Sequence, residues 1–432
     1  MSTVITLPVV TASRIEALRE PVARATRSLC TQYWRRQVLA QAPGHRLDAL
    51  DVFDVSIMQS LAVIKEHLLH DAVEPSALEQ SVAEVESEIK QPDVTCFALT
   101  CLSALLLQLG RANQAELWPA CADRFKVFST EVVDGLRFCF NAAVGDALAQ
   151  ELQRQNSALR QPGAIGLAFR LGIARPAVSD GFAQIAASLA KDAPGGLAAL
   201  CAWRCTGVGS EQQALSSLDA GGNAEAALYA LELMNSKRGL AAARAQMARG
   251  YSPAALALCA VKAPQETQAA LASGQWRDAL GFDGACYAWA LLGDWPALLD
   301  HAQTLDWDDE TACRALADGV ALVTGVYADG LYDMSQPPQA RQARLAELAQ
   351  SLNLPQGQSV RMGLSRAQVL LESSAPTVGA PLRQMLYVEY ACRVRAFVYL
   401  DATDLSSVQA LGLLAATPWE RLLLPKKKDQ RA

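Results

Sequence analysis

Four stretches of this chain read alike: LAALCAW at 197–203, AALYALEL at 226–233, AALALCAV at 254–261 and ACYAWALL at 285–292. Leu200, Leu228, Leu256 and Tyr287 stand at equivalent points, 28, 28 and 31 residues apart. A period of this size marks a helical-hairpin repeat, because one such unit cannot bury its apolar face and a stack can. Each unit has a small-residue helix, a short break, a second helix and a Gly-containing turn, as at Ala220-Gly221-Gly222, Gly250 or Gly274. GAIGLAFRLG at 163–172, with Leu167, reads as an earlier unit, and TACRALADGVALVTG at 311–325 as a later one. The expected fold is all-α, an α-solenoid of helical hairpins. It has an N-terminal helical segment at 1–155, a repeat region at 156–325 and a C-terminal helical cap at 326–432. The last residues, around Lys426-Lys427-Lys428, are expected to be a disordered basic tail.

Composition supports the helical reading. Of 432 residues, 51% are apolar, which is ample for a core. Ala and Leu dominate and β-branched runs are scarce, which favours helix over strand. The net charge of −6 argues against a general nucleic-acid binder, which needs a basic face. Eleven cysteines occur without a Cys-x-x-Cys, most of them among apolar residues of expected helices. Free Cys behaves as a small buried hydrophobe, so this usage fits a reducing compartment, with the cytoplasm as the expected location. The opening MSTVITLPVV lacks the basic start and long apolar run of a signal peptide. The apolar stretch Cys96–Leu109 is too short and too polar to span a bilayer.

Upstream of the repeats, Ser13-x-x-Glu16 fits a capping box. Pro21 lies within the apolar periodicity that follows, so it either kinks that helix or opens a later one. Phe53, Ile57, Leu61, Ile64 and Leu68 form one stripe, and Thr95–Leu109 reads as a buried helix ending at Gly110. Pro162-Gly163 reads as a junction. The stretch 353–380, interrupted by Pro355, Gly357, Gly363, Pro376 and Gly379, is too broken for a long element.

No stretch carries the pattern of a catalytic, metal or cofactor site. His67 and His70 are i, i+3 on one helix, but without His-Glu-x-x-His they read as a polar helix edge. Cys201 and Cys205 are i, i+4, a spacing open to a metal or a redox role. With no neighbouring His as a base, core packing is the better reading. Hydrolase, phosphate-loop and dinucleotide motifs are missing, and no cofactor is expected.

Two stretches suit a protein partner. Trp289, Trp295 and Trp307 lie among Asp294, Asp300, Asp306, Asp308, Asp309 and Glu310. Aromatic anchors rimmed by acids fit a basic or mixed surface. Alternatively the tryptophans pack between repeats and the acids cover a solvated loop. Near the N-terminus, Arg14, Arg19, Arg24, Arg27, Arg35, Arg36 and Arg46 surround Tyr33 and Trp34. Arg with aromatics can stack on bases, dock a protein or solvate a helix, and the acidic balance favours the last two.

Tyr33-Trp34-Arg35-Arg36, then His45-Arg46-Leu47-Asp48-Ala49-Leu50-Asp51-Val52-Phe53-Asp54, then Ile57, Leu61 and Ile64, resemble the opening of a proteobacterial family of HEAT-like repeat proteins. Leu47, Leu50, Phe53 and Asp54 match best, and the pattern departs at Ser56 and at Ala62-Val63. Genes of that family often lie with type VI secretion components, beside spike proteins and toxic effectors. The resemblance implies a non-enzymatic cytoplasmic adaptor or chaperone for such an effector or spike protein, and brings no catalytic residues. Two rivals stand beside it. An immunity protein would use the acidic charge to cover a basic toxin. A HEAT-like enzyme of DNA-repair or lyase type would need Trp203, Arg204 and Asp283 in one cleft.

Overall fold

The computed structural model describes residues 12–41, 47–69, 75–111, 114–161, 164–174, 195–354, 358–394 and 399–421. Over these residues the chain is all-α, with 21 α-helices and a single two-stranded hairpin. It divides into two compact units. The described residues within Met1–Gln37 and Val52–Leu171 make the first; those within Val38–Asp51, Gly172–Ala177 and Ala183–Ala432 make the second. Residues after 326 therefore belong with the repeats, and Leu167 belongs to the first unit.

The first unit is built round the helix Pro92–Gln108. This helix packs against Pro75–Ile89, Gln114–Phe125, Ser129–Phe138 and Ala142–Gln153. It is apolar on nearly every face, so it is stable only when surrounded. Pro92 in its first turn costs no hydrogen bond there, and Gly110, at φ 69°, turns the chain out of it as the sequence suggests. Gly135 is required where Ser129–Phe138 crosses it: a Cβ there would lie 2.9 Å from Thr100 Cβ and 3.0 Å from the Phe97 carbonyl oxygen. The N-terminal helix spans Ala12–Gln41 with Pro21 inside it. It starts ahead of Ser13, so Ser13 is a helical residue and not the cap that the spacing suggests.

In the second unit the four similar stretches fall on four helices, Gly195–Thr206, Ala224–Leu233, Pro253–Lys262 and Arg277–Leu292, with Glu310–Thr324 as a fifth. Each packs on the next in chain order. The connecting helices Glu211–Asp219, Gly239–Arg249, Pro264–Ala272 and Trp295–Ala302 pack against the inner helices on either side of them in sequence. Burial follows this layering. Ala254 to Ala260 are buried without a gap, whereas Gly239–Arg249 buries only Gly239, Ala243 and Met247, one face at four-residue steps. Helix starts are set by side-chain oxygens that accept backbone N–H bonds: Ser210, Asn223, Ser252, Asp294 and Asp309 each cap the helix that follows.

The helix Ala380–Val394, which Ser406–Arg421 follows, does not cap the end of the row. It packs along the middle of the row, on Ala224–Leu233 and Pro253–Lys262, and is buried at Leu382, Arg383 and from Met385 to Cys392. The sequence does not foretell this, because nothing in APLRQMLYVEYACRV, where Arg383 and Glu389 stand among apolar residues, names the helices that surround it. A hairpin, Val360–Arg361 paired with Leu364–Ser365, closes the ends of two inner helices. Its turn residues Met362 and Gly363 have φ 52° and 72°, the two-residue geometry that suits a right-twisted hairpin. The Val360 N–H donates to the Gly293 carbonyl at 2.9 Å. Met362 and Gly363 donate to Leu322 and Val323 at 2.8 and 2.9 Å. Open carbonyls at two helix C-termini are thereby satisfied.

Arg361 of the hairpin meets Glu389 of Ala380–Val394 in a buried two-point pair, at 2.9 and 2.7 Å. Arg366 and Arg393 add contacts at 3.1 and 3.5 Å. Burial alone would raise the Glu389 pKa. The guanidiniums, Arg361 first, outweigh it and hold the carboxyl well below the usual carboxylate range.

Candidate functional site

An open groove lies where two inner helices end. Gly195–Thr206 stops at Gly207, whose φ of 71° takes the chain out of the helix while its N–H bonds the Trp203 carbonyl at 2.7 Å. Val208 follows, 74% exposed, and then Gly209. Across from it, Ala224–Leu233 ends through Met234 into Asn235, which adopts φ 56°. The Ser236 N–H reaches back to the Leu231 carbonyl at 2.8 Å, a left-handed helix stop. The Ser236 hydroxyl donates to Glu211 Oε1 at 2.6 Å and ties the two turns together. Gly209 is needed because Met234 lies over it: a Cβ there would come within 2.3 Å of Met234 Sδ.

The groove has a volume of about 520 Å³ and is lined by Trp203, Val208, Leu233, Met234, Glu211 and Asn235, with Gly207 and Gly209 between them. Its floor is aromatic and aliphatic, with an adaptable thioether. Its rim is polar. Glu211 is the one titratable side chain among these lining residues, so the groove offers contact surface and no acid–base pair. The sequence signal was slight: a valine between two glycines, where a turn would ordinarily be polar.

A second, small cavity of about 30 Å³ lies on another side of the same helix, lined by Ile173, Arg204, Tyr399, Leu400, Asp401, Asp404, Val408 and Gln409. It has room for a water molecule or two. Trp203 and Arg204 thus face different cavities, and Asp283 lines neither. Asp283 is half-buried, and burial together with Asp309 raises its pKa.

Trp289, Trp295 and Trp307 are only 8%, 9% and 7% exposed, so they pack inside the unit. The surface this stretch presents holds most of its acids, with Pro296, Gln303 and Thr304 beside them. Asp306 and Asp308 are exposed, and Asp306 Oδ1 accepts the Asp308 N–H at 3.1 Å. Asp294 caps Ala297 and takes a bond from Gln268 at 2.8 Å; Asp309 caps Thr311 and Ala312. These acids serve helix starts first.

The N-terminal set splits by helix face. Trp34 and Arg35 are exposed, whereas Tyr33 and Arg36 are buried. Tyr33 stacks on Phe97, with centroids 3.6 Å apart, and donates to Asp134 Oδ2 at 3.0 Å. Arg36 pairs with Asp54 and lies 5.6 Å over the Phe138 ring. Burial opposes the Arg36 charge, but Asp54 and Asp134 outweigh it and raise its pKa. Arg27 pairs with Glu88 at 3.0 Å on the surface. His67 Nδ1 sits 2.8 Å from the Val63 carbonyl oxygen, while His70, His45 and Arg46 lie outside the described residues. Among the described residues no helix is long and apolar enough to cross a membrane. Comparison with protein-family models, curated proteins and solved structures finds no match.

Proposed function

We propose that this chain is a non-enzymatic α-solenoid that holds a protein partner, acting as an adaptor or chaperone. The groove between Trp203 and Asn235 carries this reading. It is open, apolar at its floor and polar at its rim, and its volume suits a few side chains of a partner. The row of inner and outer helices supports the solenoid reading. Two of its inner helices, Ala224–Leu233 and Pro253–Lys262, are covered by Ala380–Val394, so the groove at the helix ends is the contact surface proposed. The exposed acids Asp306 and Asp308 are a second, polar contact, and Trp34 with Arg35 a third on the first unit. The resemblance to proteins from type VI secretion loci makes an effector or spike protein the proposed partner, and the cytoplasm the proposed place.

The test is a tagged capture from native cytoplasm, run in parallel with a Val208→Glu variant. Val208 is exposed, so its charge should leave helicity unchanged while removing a groove-bound partner. A single stoichiometric effector or spike protein, captured by the parent chain and lost in the variant, is the expected result. Equal capture by both forms refutes the groove, and a chain that captures nothing refutes the adaptor.

A further inference from the structure

Ten of the eleven cysteines are buried; Cys205 alone is partly accessible. It lies in the last turn of Gly195–Thr206, one turn after Cys201. The two sulfurs are 4.0 Å apart, and Cys205 Sγ is 3.8 Å from the Gly172 carbonyl oxygen. Arg204, between them in sequence, is the charged group that acts on Cys205. A thiol that is partly exposed, next to a cation and one van der Waals contact from a second thiol, has the surroundings of a reactive cysteine.

We propose that Cys205 is a peroxide-reactive thiol and that Cys201 is its resolving partner. The Cys205 thiolate attacks one oxygen of a hydroperoxide. An S–O bond forms, the O–O bond breaks, and the other oxygen leaves as an alcohol or water after taking a proton. Sulfur is oxidised and the peroxide reduced. Cys201 Sγ then attacks the sulfenyl sulfur, forming the S–S bond as the S–O bond breaks, and water leaves with the thiol proton. Side chains at i, i+4 keep their Cβ atoms about 5–6 Å apart in an intact helix, whereas a disulfide needs about 3.5–4.5 Å. The last turn must therefore open. Opening it breaks the bond of 2.7 Å from the Gly207 N–H to the Trp203 carbonyl at the end of the helix. The segment that moves includes Trp203 and Gly207 of the groove wall.

The ionisation of the thiols supports this choice. The hydrogen bond from Cys201 lowers the Cys205 pKa against the effect of burial, with help from Arg204. Burial drives three other thiols the opposite way: it pushes Cys30 and Cys121 up to about 12 and Cys96 up to about 11. Cys201 is raised as well, first by its bond to Cys205, so of the two sulfurs Cys205 gives up its proton the more readily.

The experiment uses the full, reduced chain. Substoichiometric iodoacetamide followed by peptide mass spectrometry should alkylate Cys205 at least about tenfold faster than any other cysteine. Hydrogen peroxide, then blocking of free thiols and trypsin, should leave two peptides joined through sulfur, because trypsin cuts after Arg204. Dithiothreitol should part them. A Cys201→Ser chain should hold Cys205 as a sulfenic acid that dimedone traps, with far-UV circular dichroism confirming its fold. Alkylation that starts at another cysteine, or peroxide-joined peptides that pair other residues, would overturn the proposal.

Discussion

Glu389 is one carboxylate held among three guanidiniums, and its ionisation sets a pH dependence. In the folded chain it stays charged well below the ordinary value of 4.5. In the unfolded chain it takes up a proton as the pH falls through that value. The unfolded state then binds more protons, so stability present above about pH 4.5 is lost progressively as pH falls toward the folded pKa. Urea unfolding from pH 6 to pH 3 should show this slope, and Glu389→Gln should flatten it. That substitution leaves Arg361 buried without a counter-charge and should cost about 3–5 kcal/mol. Gly135 is a steric case. Gly135→Val meets Thr100 and the Phe97 carbonyl in the tight crossing and should cost about 1–3 kcal/mol, read as a lower Tm with helicity retained at 20 °C.

The helix starts behave as separable elements. Asn223 accepts one N–H, from Ala226 at 2.9 Å, so Asn223→Ala should cost about 1 kcal/mol. Ser252 does more: it caps Ala255 at 3.2 Å and donates to Glu225 Oε1 at 2.6 Å. Glu225 reaches across from the preceding inner helix and also accepts the Ala254 N–H at 2.7 Å, joining one repeat to the next. Ser252→Ala should therefore cost more, about 2 kcal/mol. Equal losses for the two variants in matched denaturant titrations would mean that the inter-repeat bond contributes nothing. The tryptophans belong at this scale too. Trp295 and Trp307 are packed inside, so each Trp→Ala change should remove about 3–5 kcal/mol. A binding loss in the double variant would report lost core and not a lost contact.

At the scale of the second unit, the helix Ala380–Val394 packs on two helices of the row, Ala224–Leu233 and Pro253–Lys262, and is expected to unfold with them. Leu386 is fully buried in it. Leu386→Ala should cost about 2–5 kcal/mol. Because the row and this helix share an interface, amides in Pro253–Lys262 and in Ala380–Val394 should lose the same protection in hydrogen exchange. A loss confined to Ala380–Val394 would show that the row stands without it, as an array with nearest-neighbour contacts alone would.

The all-helical character of this chain and the position of each repeated helix were legible in the sequence. An apolar stripe, a capping Ser, Asn or Asp and a terminal Gly act over one helix turn, so they can be read locally. The division of Tyr33-Trp34-Arg35-Arg36 into buried and exposed residues was not legible. It depends on which face Phe97, Asp54 and Asp134 cover, and those partners come from other helices. The hairpin at 360–365 has strands of two residues, too short to show any alternation. The groove brings together two turns, at Gly207-Val208-Gly209 and Met234-Asn235, that are 25 residues or more apart in sequence and meet only through the packing of their helices. The course of Ala380–Val394 along the row was likewise decided by tertiary packing. Its Arg383 and Glu389 are buried only because distant residues, Gln409 and Arg361, meet them there.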